Sequence, residues 1–253
     1  MDFQRFKPHL PWITLLLLVA IVGTVDDTFL RPANLLSLAG DIVPLFIMAL
    51  GLTFAIYIGG IDLSAQSMAN LITVVASVYL APLGGWVALL CILVGFGFGM
   101  VSGYVTTKLL VPSFISTLAV GGIAFSLAQY LSGQRALNMD AAQRDAVFGW
   151  MISKTGPIPH ELFIAAGLLA ITLFIERRTT LGRALKAVGA GEPAAAASGI
   201  NVARYKILAF AISGALAAVA GLLFSVELSG GAPTIANGFL LPAIVAVLVG
   251  GTP

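Results

Sequence analysis

Long apolar stretches, separated by short groups of charged or turn-forming residues, dominate the sequence. A helix needs about 20 apolar residues to cross a bilayer, so the gaps between charges indicate where spans lie. Seven stretches predict spans, and an eighth apolar segment runs to the end of the chain: 10–25, 42–60, 64–80, 86–107, 113–131, 161–175, 207–226 and 239–250. None alternates apolar with polar residues, as membrane strands would. The pattern predicts an all-α, polytopic transmembrane bundle that forms a single domain over residues 1–253.

The first stretch has a second interpretation, because Arg5 and Lys7 precede its apolar core as they would in a secretory signal. No small-x-small cleavage pattern precedes Asp26, and Pro11-Trp12 is typical of an anchor at the membrane surface. We therefore favour an uncleaved first span.

The distribution of Lys and Arg predicts the orientation, since basic residues collect in cytoplasmic loops. With the N-terminus in the cytoplasm, nine of the thirteen Lys and Arg face inward and four face outward. The longest cytoplasmic segment is then 176–206. The outer loop 132–160 is polar, and we interpret it as a solvated loop and a candidate contact for a soluble partner.

Composition supports a membrane protein and argues against several other classes. Hydrophobic residues make up 59% of the chain and charged residues 9%, whereas soluble domains carry about 25% charged residues. A net charge of +2 without a long basic run predicts no nucleic-acid partner. One cysteine and two distant histidines predict no metal site.

Common catalytic motifs are missing from the sequence. It contains no G-x-x-x-x-G-K-[ST] loop, no H-E-x-x-H and no G-x-S-x-G. We therefore predict that the chain is not an enzyme, needs no cofactor of its own and does not itself bind ATP through a P-loop.

Small and polar residues recur on one face of three predicted spans. In lipid such faces must turn toward protein or water, so they either pack helices together, which we favour, or line a passage for a polar solute. The candidate passage residues are Gln66, Asn70, Thr73, Ser77, Ser113 and Thr117. Gly95, Gly99 and Gly103 form a ridge on the fourth span that permits close helix approach, within the subunit or between two copies.

Two carboxylates lie next to predicted spans. Asp41 precedes Ile42-Val43-Pro44, and Asp62 precedes the third span. We expect each to be the N-cap of the helix that follows it, because a carboxylate there accepts backbone N–H groups. The alternative is a role in gating or proton transfer.

The cytoplasmic segment 176–206 predicts two short helices. Leu181, Leu185 and Val188 share one face of the first. The second begins at Glu192 and ends at a glycine, with a proline in its first turn. Its side chains are small, so it could dock into a groove on another protein. The alternative is an ordinary loop helix between two spans, and the spacing does not decide between them. The candidate docking residues are Glu192, Pro193, Ala194, Ala195, Ala196, Ala197, Ser198, Gly199 and Ile200.

Three motifs in order resemble those of a known family. The stretch 179–206 resembles the coupling loop of permease subunits of bacterial ATP-binding-cassette importers of the ribose, xylose and galactose class. Gly59-Gly60-Ile61-Asp62-Leu63-Ser64 is similar to that family's GGIDLS signature, and Gly250-Gly251-Thr252-Pro253 to the start of its GGT motif. The resemblance covers the chain from about residue 35 onward. The family continues with further spans after GGT, so we expect C-terminal spans to be missing from this sequence.

The resemblance implies a function and a set of partners. The helix from Glu192 to Ile200 would dock on a cytoplasmic ATPase, a periplasmic binding protein would deliver the solute, and a second permease chain would complete the passage. The expected location is the bacterial inner membrane, in contact with lipid, and the expected cargo is a small polar solute, a monosaccharide. The alternatives are an ion- or proton-coupled secondary transporter and, less favoured, an intramembrane enzyme.

Overall fold

The computed structural model describes residues 10–26 and 28–251. Arg5, Lys7 and the last two residues of the Gly250–Pro253 motif lie outside the described residues. The helices are α1 Leu10–Val25, α2 Pro32–Asp41, α3 Val43–Tyr57, α4 Ala65–Leu83, α5 Trp86–Lys108, α6 Ser113–Ser132, α7 Ala141–Phe148, α8 His160–Arg178, α9 Thr180–Ala190, α10 Glu192–Ala197, α11 Val202–Glu227 and α12 Leu240–Val249. The strands are β1 Leu137–Asn138, β2 Lys154–Thr155, β3 Ile158–Pro159 and β4 Gly230–Gly231.

Every predicted span overlaps a helix, and the all-α prediction is confirmed. Among the described helices, α4, α5, α6 and α11 are each long and apolar enough to cross a membrane. The pair α2 and α3 is a fifth candidate, bent by 48°. The count of seven spans and the cytoplasmic N-terminus stay predictions.

Helix α11 packs along α5, α3 and α4 at the centre of the bundle. The predicted glycine ridge of α5 makes this packing close. A methyl group on Gly95 would lie 2.3 Å from the carbonyl oxygen of Gly214, and one on Gly99 would lie 2.2 Å from that of Phe210. Neither position therefore has room for a side chain. The ridge, which includes Gly103, lies within the subunit against α11.

The predicted N-cap at Asp41 is wrong. Asp41 is the last residue of α2, and Ile42 is the N-cap of α3. Helix α2 begins earlier, at Pro32, a residue that is favourable in a first turn. The chain bends after it because Pro44 has no N–H to bond the carbonyl of Gly40. The carboxylate therefore lies at the C-terminal end of a helix.

The segment 132–160, which we call the outer segment after its predicted location, is only partly solvated, contrary to expectation. It contains α7, the hairpin β2–β3, and β1, which pairs antiparallel with β4. Asp140 caps α7 by accepting the Gln143 N–H at 2.8 Å. Met139, Phe148 and Met151 are buried against the bundle. An apolar underside thus fixes this segment to the spans.

Alanine substitutions along α5 test the close packing with α11. We expect Gly99→Ala to lower the melting temperature of the detergent-solubilised protein by several degrees, because overpacking costs roughly 1–3 kcal/mol. The matched control is Gly97→Ala, since a methyl group on Gly97 meets nothing within 4 Å. Equal melting temperatures for the two variants would contradict the packing described.

Candidate functional site

The chain leaves the helical conformation between α3 and α4, over residues 58–64. We call this segment the inner break. Gly59 has a φ of +68°, which favours glycine, and a methyl group on Gly60 would lie 2.9 Å from the ring of Phe210. The two glycines therefore allow a sharp turn pressed directly against α11.

Asp62 anchors the inner break. Its side chain is buried, and its Oδ1 accepts the Ser64 N–H at 2.9 Å and the Ser64 hydroxyl at 2.5 Å. Its Oδ2 accepts the hydroxyl of Ser213, in the middle of α11, at 2.6 Å. Charge-assisted hydrogen bonds of this kind offset the cost of burying a carboxylate.

The predicted N-cap role of Asp62 is also wrong. Ser64 is the N-cap residue of α4. Asp62 lies two residues earlier and receives the Ser64 N–H as in an Asx turn. The physical reason is that its second oxygen bonds across to α11, which places the carboxylate between two helices.

Helix α6 holds the other side of the inner break. The Ile61 N–H donates to Ser113 Oγ at 3.1 Å, and the Leu63 N–H donates to Thr117 Oγ1 at 3.0 Å. Gly121 continues this contact, since a methyl group there would lie 3.2 Å from Ser64 Cα. Both candidate passage residues of α6 thus hold backbone, while their role in a passage stays a prediction.

A second non-helical segment, residues 228–239, follows α11 and runs along α4. We call it the outer break. Three polar side chains of α4 each accept one of its backbone N–H groups: Gln66 Oε1 accepts Gly238 at 3.1 Å, Asn70 Oδ1 accepts Ala236 at 2.7 Å, and Thr73 Oγ1 accepts Ala232 at 3.2 Å. Ser77, the fourth polar residue of this face, donates to the Thr73 carbonyl at 2.8 Å. The polar face of α4 therefore packs against this segment.

Asn237 closes the cluster between the outer break and α4. Its Oδ1 accepts from Asn70 Nδ2 at 2.9 Å and from Gln66 Nε2 at 3.4 Å, and the residue is exposed. Sequence reasoning missed Asn237 and Ser213. The only signal in the sequence was their polarity, Ser213 within an apolar helix and Asn237 within a loop. Polarity alone does not show which side chain each residue bonds.

Helix α9 has the apolar face that its spacing predicted, and this face packs onto the bundle. Leu185 and Val188 are buried in one cluster with Phe54 of α3 and Phe210 of α11. A methyl group on Gly189 would lie 1.9 Å from the Tyr57 carbonyl oxygen, so the backbone of α9 contacts the end of α3 directly. A cleft of about 670 Å³ opens beside this contact.

Helix α10 is shorter than predicted. It ends at Ala197, and Gly199, with a φ of +82°, forms the expected left-handed stop. Ala195 is buried in the α3–α9–α11 cluster, which holds the helix in place. The exposed side of the predicted docking segment consists of small residues and one carboxylate: Glu192, Pro193, Ala194, Ala196, Ala197, Ser198 and Gly199.

Two ion pairs fix the positions of α9 and α10. Lys206 of α11 pairs with Glu192 at the start of α10. Lys186 Nζ lies 2.9 Å from Glu176 Oε1, at the end of α8. This hydrogen bond from Lys186 holds the pKa of the Glu176 carboxyl below its usual value. Within the described ranges, no group of three or more His, Cys, Asp and Glu could hold a metal ion.

Comparison with known proteins identifies the family. The profile described as "Branched-chain amino acid transport system / permease component" matches residues 34–253. The chain belongs to this family. No solved structure matches it.

This permease is also similar to named relatives. Ribose import permease protein RbsC of Escherichia coli K12 is 33% identical over 243 residues, which cover 95% of this chain and 76% of the relative. RbsC of Bacillus subtilis 168 is 32% identical, over 96% of this chain and 76% of the relative. Xylose transport system permease protein XylH of Escherichia coli K12 is 30% identical, over 90% of this chain and 74% of the relative.

The family membership and the apolar helices establish a multi-pass permease of the bacterial inner membrane. The family is a transport family rather than an enzyme family. Permeases of ATP-binding-cassette systems work with an ATPase and a binding protein, which is the general kind of partner to expect here.

Substitution of Asp62 tests its role in the inner break. Asp62→Ala leaves the Ser213 hydroxyl and the Ser64 N–H without their acceptor, at a cost of roughly 1–3 kcal/mol each. We expect a clear loss of thermal stability in detergent. Asp62→Asn keeps an acceptor and should lose less. If Asp62→Ala has the same melting temperature as the wild type, the Asp62 carboxylate does not anchor the inner break.

Proposed function

We propose that this chain is the membrane-spanning subunit of an ATP-binding-cassette importer that carries a monosaccharide into the cell. The sugar class is supported by relatives named for ribose and xylose. The observation that carries the coupling role is the exposed, alanine-rich side of α10. An exposed helix with so little bulk lets a partner approach its backbone closely, while Ala195 and Lys206 hold it to the bundle.

A separate ATPase subunit supplies the energy in this proposal, since the sequence has no P-loop. ATP binding closes the ATPase dimer and moves α10. The side chain of Ala195 lies in the same cluster as Phe54 and Phe210, so α10 moves together with the inner ends of α3 and α11. Two packed arrangements of this cluster correspond to inward and outward access.

The inner break is placed to receive that movement. Gly189 of α9 contacts the Tyr57 carbonyl, and residues 58–64 follow immediately. Gly60 contacts Phe210, and Asp62 bonds Ser213. A displacement of α9 therefore changes the contacts of the inner break with α11. Two permease chains line one passage, and a soluble binding protein delivers the sugar from outside.

A secondary transporter is the competing function, and buried Asp62 is the observation in its favour. An ionisable residue inside a membrane protein is a default candidate for ion coupling. The carboxylate here already accepts three hydrogen bonds from Ser64 and Ser213. These bonds account for its burial without a coupled ion.

Uptake by the reconstituted complex tests the proposed function. The full-length protein is placed in proteoliposomes with its genetically adjacent ATPase and binding protein, and entry of radiolabelled ribose and xylose is measured. We expect uptake of at least one sugar to require ATP and to survive collapse of proton and sodium gradients. Uptake that needs such a gradient and no nucleotide would establish the secondary transporter.

Bulky substitutions on α10 test the docking surface. We expect Ala196→Trp and Ala197→Trp to weaken co-purification of the ATPase about tenfold or more, because an indole on an exposed face separates the two surfaces. The matched control is Ala142→Trp, on the exposed surface of α7. Ala195 is unsuitable, since it is buried. If the Ala196→Trp and Ala197→Trp variants retain the ATPase as well as the control variant does, α10 is not part of the interface.

A further inference from the structure

The contacts of α11 provide a scale for depth in the membrane. A methyl group on Gly221 would lie 2.5 Å from the Ala69 carbonyl oxygen, so these two residues are level. Glu227, the last residue of α11, is six residues further on, roughly 9 Å at 1.5 Å per residue. Ala69 thus lies roughly 9 Å inside the outer end of α11. Gln66, three residues earlier on α4, lies roughly 13 Å inside.

The outer break reaches this depth. Asn237 bonds both Asn70 and Gln66, and Gly238 bonds Gln66. Residues near 237 therefore lie roughly 13 Å inside the outer end of α11, a helix long and apolar enough to span the membrane, although their backbone is not helical. Non-helical backbone at that depth occurs only where it is buried in protein or lines a water-filled cavity.

The exposed side of the outer break is polar. Pro233 and Ala236 are buried toward the bundle, whereas Thr234 and Asn237 are exposed. Both Oδ1 bonds of Asn237 point to α4, and its Nδ2 has no acceptor among residues 10–26 and 28–251. Lipid tails cannot accept that donor, so it must meet water, solute or protein.

The side chains of α4 that hold this segment are neutral. Gln66, Asn70 and Thr73, which hold the segment, carry amides and a hydroxyl. An unpartnered amide N–H₂ beside hydroxyl and amide groups suits an uncharged solute rich in hydroxyls, because hydroxyl oxygens accept hydrogen bonds from an amide.

We infer that the outer break lines the solute passage, and that Asn237, with Thr234 beside it, donates a hydrogen bond to an uncharged polyhydroxylated solute. The inference rests on the proposed importer function for its cargo. The exposure of Asn237 to water at this depth does not depend on which energy source drives transport.

Thiol labelling tests exposure to water. Asn237→Cys and Thr234→Cys are introduced into the full-length protein, with Cys91→Ala removing the native thiol, and the complex is reconstituted with its ATPase. The probe is a charged, membrane-impermeant methanethiosulfonate applied with and without ATP. The control is Leu241→Cys, on the exposed apolar side of α12, 72% exposed. A thiol facing lipid stays protonated and does not meet the probe.

We expect both cysteines in the outer break to react at least about tenfold faster than Leu241→Cys in one nucleotide state, since only the thiolate reacts. Labelling no faster than the control would overturn the inference, whether lipid, further chain or a second copy covers the site. The importer proposal would survive that result if ATP-driven uptake by the same vesicles were normal.

A second variant tests the contact with solute. Asn237→Leu removes the donor, and we expect ribose uptake to fall roughly tenfold, the effect of one lost hydrogen bond, with ATPase association unchanged. Asn138→Leu, at an exposed position of β1, is the matched control. Uptake equal to that of the control, for ribose and for xylose, would exclude Asn237 as a solute contact.

Discussion

Lipid offers no partner to an open backbone N–H or C=O group, and this constraint explains how the bundle is held together. The chain breaks its helices at residues 58–64 and 228–239, and side chains of neighbouring helices accept the freed N–H groups there. Ser113 and Thr117 do so for the inner break, and Gln66, Asn70 and Thr73 do so for the outer break. Polar side chains of these helices thus take the place of water as hydrogen-bond partners of the backbone.

Both breaks contact α4, and the inner break also bonds α11, which connects helices α9 and α10 with the centre of the bundle. Asp62, two residues before the N-cap of α4, bonds Ser213 of α11. Gln66, Asn70 and Thr73 of α4 hold the outer break. Helices α9 and α10 press on the inner ends of α3 and α11 through Gly189 and Ala195. The permease thus has a continuous set of contacts from the proposed docking surface to the proposed solute site.

Much of this architecture could be predicted from local pattern. Apolar length located the spanning helices, the four-residue glycine spacing located the close-packed face of α5, and the spacing of Leu181, Leu185 and Val188 located the apolar face of α9. Each of these signals acts within one helix, where position in sequence fixes position in space.

Features that depend on a distant partner were not predictable. Asp41 and Asp62 looked like caps because a carboxylate before a helix usually is one, but Pro32 starts a helix ahead of Asp41 and Ser213 draws Asp62 toward α11. Asn237 is separated from Asn70 by 167 residues. The polar face of α4 was visible in the sequence, but its occupant was not.

Hydrogen exchange of individual amides in lipid nanodiscs tests most directly whether side chains satisfy the two breaks. The amides of Ile61, Leu63, Ser64, Ala232, Ala236 and Gly238 are expected to exchange slowly, at rates close to those of the adjoining helices, because each donates to a side chain. Exchange of these amides as fast as that of exposed Gly156 in the outer segment would contradict the account.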